Sequence, residues 1–215
     1  MSTLKQVLTQ KIDAHRPRIT RLVKECGDVK LGDVTIAQAI GGARGVKCLV
    51  TDISYLDPFE GIRFRGLTIP ETFAALPKVP GSEYPYVEGF WYMLFTGDVP
   101  TMEQTLEVVA EWQKNSAVPQ YVYDVLDALP DDAHPMAMFS SAVLAMQRDS
   151  VFAKNYRDGK FNKMTCWEDM YEDCTNMMAK LGPIGAYIYN KKYRNNDQIA
   201  ADPNLDMGGN FAHMI

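Results

Sequence analysis

The sequence predicts a mainly α-helical protein with one or two short β-hairpins near residues 34–67. Three observations support this. Apolar residues recur at helical spacing through most of the 215 positions. Thr-x-x-Gln and Thr-x-x-Glu boxes and proline-led starts mark helix openings. Only residues 34–67 combine β-branched runs with dense glycine and Asp-Pro punctuation.

In chain order, Leu4, Val7, Leu8, Ile12, Ile19, Leu22 and Val23 predict a helix over 3–25, with Pro17 as a kink or break and Gly27 as its stop. Val34-Thr35-Ile36, Cys48-Leu49-Val50-Thr51 and Ile62-Arg63-Phe64 read as short strands. Pro70-Glu71 opens a short helix ending at Leu76. Val87 to Phe95 forms an apolar helix closed by Gly97. Thr101 with Gln104 is a capping box that opens a helix to about Lys114. Pro119 starts another helix, with Val122, Tyr123, Leu126 and Leu129 on one face, and Pro130 ends it.

The segment His134-Pro135 to Arg148 is apolar or small at nearly every position, which predicts a helix buried on all sides. Thr165 with Glu168 reads as a second capping box. Trp167, Met170, Tyr171, Cys174, Met177, Met178 and Leu181 then form one helical face. Gly182-Pro183 is expected to bend this helix before it continues to Tyr193. Phe211, Met214 and Ile215 read as the first turn of a further helix, interrupted by the end of the chain. The sequence contains no internal repeat or interdomain linker.

Composition narrows the function. The chain is 47% apolar and 23% charged, which excludes a disordered tail or a collagen-like fibre. Lys plus Arg total 22 against 27 Asp plus Glu, a net charge of -5, so a general nucleic-acid binder is not expected. An anionic ligand would need a local basic site acting against that sign. No run of 18 apolar residues occurs, so no membrane span is expected. Met1 to Gln10 has neither a secretory nor a transit pattern, so the protein is expected in a bacterial cytoplasm, or in the mitochondrial matrix after processing. Cys166 and Cys174, eight residues apart on one helix, would lie about 12 Å apart, too far for a disulfide. The four cysteines are therefore expected to be reduced and half-buried.

Few residues suggest chemistry. His15 reads as surface, His134 as a cap before Pro135, and His213 as a residue near a cleft or on the surface. No spacing suits a metal, and no metal site is expected. Gly41-Gly42-Ala43-Arg44-Gly45 offers backbone N–H groups and one guanidinium, suited to a phosphate or to a plain turn. Lys160 and Lys163 flank a loop before the long helix. Arg63 and Arg65 would share one face of a strand and serve an internally bonded hairpin.

Taken together, the motifs resemble the citrate synthase family. Asp57-Pro58-Phe59-Glu60-Gly61-Ile62-Arg63-Phe64-Arg65-Gly66-Leu67-Thr68-Ile69-Pro70-Glu71 is similar to its LDPxEGIRFRGxxIPE segment, and Gly41 to Gly45 to its GGMRG loop. Leu94 to Thr101 resembles LLxTGxxPT, and His134-Pro135-Met136 resembles HPM. Tyr171-Glu172-Asp173-Cys174 resembles YEDC, and Asn210-Phe211 the NF before the next helix. The resemblance runs in order along essentially the whole chain.

It implies a multi-helical citrate synthase-like fold, with residues 1–215 as the N-terminal part of the large domain and the remainder plus the small domain absent. It also implies condensation of acetyl-CoA with oxaloacetate to citrate and CoA, with no cofactor beyond the thioester substrate. A homodimer through the helices starting near His134 and Trp167 is implied as well, with no nucleic-acid or membrane partner. The family's catalytic histidines and aspartate fall in motifs absent here, so no catalytic residue is expected in this chain. Arg44 and Lys163 match coenzyme A contacts. The alternatives are a 2-methylcitrate synthase, a split-enzyme subunit, or a non-catalytic dimerisation remnant.

Overall fold

A computed structural model describes residues 2–43, 45–57 and 59–215. Packing divides the chain into two compact units. The first comprises 1–85 with 89–104; the second comprises 86–88 with 105–215.

The first unit begins with α1 (Thr3–Cys26), where Ser2 caps the start and Gly27 follows the end. Pro17 lies inside α1 without ending it. Proline removes one helical N–H, but this stretch is exposed, so water can satisfy the freed carbonyl. The expected strand at Val34-Thr35-Ile36 is instead the start of α2 (Ile36–Ile40). The competing signal was a capping box: Thr35 accepts from the Gln38 N–H at 3.2 Å, and the Gln38 side chain accepts from the Thr35 N–H at 3.0 Å. Cys48 to Thr51 forms no strand either; Leu49 is 80% and Val50 90% exposed.

Three antiparallel strands follow in sequence order: β1 (Ser54–Asp57), β2 (Gly61–Phe64) and β3 (Leu67–Thr68). They form two hairpins where one or two were expected, but only the run at Ile62-Arg63-Phe64 is one of the strands read from the sequence; β1 and β3 were not anticipated. Ser54 pairs with Phe64, and Phe64 with Leu67. Arg65-Gly66 is therefore a two-residue turn, with φ of 50° and 88°. That geometry belongs to the hairpin turn that normally takes Asn-Gly. It corrects the expectation that Arg63 and Arg65 share a strand face, because β2 ends before Arg65. A left-handed non-glycine residue costs about 1–2 kcal/mol. The guanidinium offsets that cost. Its Nε donates to the Leu94 carbonyl at 3.0 Å, Nη2 donates to the Phe95 carbonyl at 3.2 Å, and Nη1 lies 3.0 Å from Asp52. It thereby satisfies the last carbonyls of α4 (Val87–Thr96), which Gly97 terminates at φ 80°. Thr68 and Glu71 form a capping box on α3 (Ile69–Ala75).

The second unit is helical. It comprises α5 (Met102–Asn115) from Thr105 onward, α6 (Gln120–Ala128), α7 (Pro135–Ala145), a 3₁₀ turn at Met146–Asp149, α8 (Val151–Arg157), α9 (Cys166–Tyr193) and α10 (Met207–Met214). Its core joins Val122 and Leu126 of α6, Met138 and Ala142 of α7, and Ile184 and Ile188 of α9. Burying such side chains contributes about 1.5–3 kcal/mol each.

Several expectations meet the structure here. α7 is not buried on all sides: Met138 and Ala142 are, but Met136 is 61% and Leu144 74% exposed. α9 continues through Gly182-Pro183 to Tyr193, as expected, and packing on both sides of the proline, at Ala179 and Ile184, supports it there. Thr165 does not cap α9. Its φ of -117° and ψ of -8° are not those of a cap, and the Asn162 carbonyl instead accepts from the Cys166 N–H at 2.8 Å. Of the expected face of α9, Tyr171 is buried but Met170 is 51% exposed, and the small residues Thr175, Ala179, Gly182 and Ala186 are buried as well. All four cysteines are free thiols; Cys26 and Cys48 are exposed, not half-buried.

Candidate functional site

Arg44 lies outside the described residues, but its loop is described on both sides. The N–H groups of Gly41, Gly42 and Ala43 donate to the carbonyls of Ala37, Ala39 and Gln38 at 2.9, 3.4 and 2.8 Å. These are the terminal carbonyls of α2, so the N–H groups close a helix. In this arrangement the Gly41, Gly42 and Ala43 N–H groups point to their own helix end, as in the plain-turn alternative. Gly42 and Gly45, at φ 77° and 73°, provide left-handed steps that a side chain would strain.

Lys163 is exposed and sits in the loop joining α8 to α9. Among the described residues its Nζ enters no ion pair. Lys154 and Lys160 both approach Asp158, at 2.9 and 3.8 Å. The Lys154 side chain, donating to Asp158, holds that carboxyl below its ordinary value. Lys154, Arg157, Lys160 and Lys163 thus place four cations within ten residues of a net-acidic chain. An anionic ligand would need such a local excess of positive charge, although Lys154 and Lys160 are already drawn to Asp158. Lys154 and Arg157 escaped the sequence reading because they lie on a helix, where such residues usually mark a solvated face.

The loop is built by identifiable contacts. Gly159 turns at φ 68°, and the Lys160 N–H donates to the Asn155 carbonyl at 2.9 Å. The Phe161 ring packs edge-on against Phe152 and Tyr156, at 5.9 and 5.7 Å between centroids. Asn162 accepts from the Met164 N–H at 2.8 Å. Lys163 is therefore displayed from an ordered turn.

The histidines are placed as caps or surface residues. His134 Nδ1 accepts from the Met136 N–H at 3.2 Å, capping α7. His15 and His213 are exposed. No group of three or more His, Cys, Asp or Glu is placed to hold a metal among the described residues.

Two buried polar residues escaped the sequence reading. Glu88, 1% exposed, accepts from the Met207 N–H at 2.9 Å at the start of α10. Burial, aided by nearby Asp206, pushes its carboxyl above the ordinary value. Asn190, also 1% exposed, donates to the Met214 carbonyl at 2.7 Å at the other end of α10. The only sequence cue to either was a polar residue inside an apolar run.

The family model described as "Citrate synthase, C-terminal domain" matches residues 42–215. Citrate synthase 4, mitochondrial, of Arabidopsis thaliana is 44% identical over 212 residues, covering 99% of this chain and 44% of that protein. The mitochondrial citrate synthase of Kajikia audax is 44% identical over 215 residues, covering 100% of this chain and 46% of that protein. The chain thus spans a little under half the length of these relatives. Among solved structures, citrate synthase from Pyrobaculum aerophilum aligns with a TM-score of 0.66 at 21% identity, over 86% of this chain and 44% of that one. Citrate synthase from Thermoplasma acidophilum, in ternary complex with carboxymethyl coenzyme A and oxaloacetate, aligns with a TM-score of 0.61 at 21% identity, over 83% and 42%. The likeness to these structures concerns the fold, while the sequence relatives and the family match carry kinship. The chain belongs to the citrate synthase family.

Proposed function

We propose that this chain forms part of an enzyme that condenses acetyl-CoA with oxaloacetate to give citrate and CoA. The observation that carries this reading is the alignment of the whole chain with citrate synthases. Residues 1–215 correspond to the N-terminal part of the large domain. Their share of the work is scaffolding and grip on the coenzyme, with Arg44 and Lys163 binding its phosphates. A planar guanidinium and a compact ammonium both suit phosphate oxygens, the first as a fork and the second as a point charge.

The chemistry needs a base for the acetyl methyl proton and donors for the developing enolate. Those groups belong to the part of the relatives' length that this chain does not span. A homodimer through α7 and α9 is part of the same reading, supported by the exposed Met136, Leu144 and Met170 on those helices. The mitochondrial names of the relatives favour the mitochondrial matrix over the bacterial cytoplasm as the location.

The test measures CoA release from acetyl-CoA and oxaloacetate by the chain alone, then with the remaining length of a relative supplied as a second polypeptide. The expected result is no turnover alone and turnover with the complement. Turnover by the chain alone would overturn the placement of the catalytic groups. Failure of both to bind CoA would overturn the coenzyme role.

A further inference from the structure

We propose that Asp173 is a positioning residue. From α9 it clamps the start of α8 and so sets the loop that carries Lys163 towards a phosphate-bearing ligand. The proposal rests on the reading of Lys163 as a coenzyme contact, and it adds to that reading the device that holds the contact in place.

Asp173 is spent entirely on one helix end. Its Oδ1 accepts from the Val151 N–H at 2.7 Å, and its Oδ2 accepts from the Ser150 hydroxyl at 2.6 Å and the Phe152 N–H at 3.2 Å. These N–H groups belong to the first turn of α8, which has no intrahelical partner for them. Ser150 Oγ in turn accepts from the Ala153 N–H at 3.0 Å. One hydroxyl therefore caps α8 while donating to Asp173, and its rotor is fixed from both sides. The negative charge also lies at the positive end of the α8 dipole.

A second rung fixes direction. Asn155 Nδ2 donates to Asp169 Oδ2 at 3.0 Å. Asp169 and Asp173 lie one turn apart on α9, and Val151 and Asn155 lie one turn apart on α8, in opposite order. Two rungs so spaced make α8 and α9 an antiparallel pair whose closing loop is 158–165. Lys163 sits in that closure, a few residues from the end of α8. A tilt or fraying of α8 therefore carries directly to its ammonium.

The experiment titrates CoA into the full chain and its variants by calorimetry, and follows amide hydrogen exchange without ligand. Lys163→Ala is expected to weaken CoA binding about tenfold, the size of one lost charged contact. Asp173→Ala is expected to weaken it almost as much, and the double variant no further than Lys163→Ala alone, because the two act through one contact. Asp173→Asn keeps one acceptor and should recover part of the affinity. Exchange at 158–164 should rise about tenfold or more in Asp173→Ala. Asn190→Ala, which loosens α10 instead, should change neither CoA affinity nor exchange at 158–164; a change in either would make the Asp173 effect a general consequence of lost stability and overturn the proposal. Unchanged exchange in Asp173→Ala, or affinity losses that simply add in the double variant, would overturn it too. Wild-type affinity in Lys163→Ala would remove the coenzyme reading itself, while the exchange result still decides whether Asp173 sets the loop.

Discussion

The loop at 41–45 and the loop at 158–165 each carry a basic residue proposed as a coenzyme contact, yet they are held in different ways. The first is shaped by its own backbone. Its N–H groups close α2, Gly42, Ala43 and Gly45 take left-handed steps, and the nearest side-chain device is the local box between Thr35 and Gln38. The second is held from a distance, by Asp173 and Asp169 on α9 and by three packed rings. A locally made loop can change without disturbing the rest of the fold. A loop held by a separate helix inherits the rigidity of that helix. Arg65, which holds the end of α4, and Asn190, which holds the end of α10, repeat the second strategy, each acting from far along the chain.

Substitutions can break this contrast. The largest effect is expected from Asp173→Ala, which leaves three donors of α8 without their acceptor. A loss of about 3 kcal/mol in urea unfolding is expected, at the level of charged hydrogen bonds. A loss below about 1 kcal/mol would place the second loop in the same class as the first. Arg65→Ala removes the contacts to Leu94, Phe95 and Asp52 but keeps the strained turn, so about 2 kcal/mol should be lost. Thr35→Ala should cost about 1 kcal/mol, the value of an N-cap. Its exchange signature should be confined to α2, and spreading into other elements would contradict the local reading.

The mildest change is Glu88→Gln, which retains an acceptor for the Met207 N–H. Its mark is pH dependence. The folded state holds the Glu88 carboxyl above its ordinary value through burial. Between the unfolded and folded values the native state binds more protons, so this group's contribution to stability is present at low pH and is lost as pH rises through the folded value. Thermal melts of Glu88→Gln should therefore fall less steeply than wild type as pH rises from the ordinary carboxylate range. Parallel curves would remove Glu88 as the source.

The helices were largely legible because their signals are local: periodicity in α6 and α9, the Thr101 box that opens α5, and prolines at the starts of α3 and α7. Errors arose where two local signals competed. Thr35 is β-branched within a β-type run, yet it also stands three residues before Gln38, and the cap prevailed. Thr165 has the right spacing to Glu168, yet the turn at Asn162 holds its backbone away from cap geometry. The apolar sequence of α7 was legible, but which of its faces this chain covers depends on α6 and α9. The site was legible only as far as motifs carry it. Lys163 could be named, but Asp173, though part of the quoted Tyr171 to Cys174 motif, acts on Val151, some twenty residues away, and no periodicity encodes that meeting.

The most direct test of the account is a titration of CoA into the isotope-labelled chain, followed by backbone amide shifts. The account predicts saturable shifts concentrated at 42–46 and 158–166, with Lys163→Ala removing those in the second group. Shifts confined to other regions, or none at millimolar CoA, would contradict the claim that this chain grips the coenzyme.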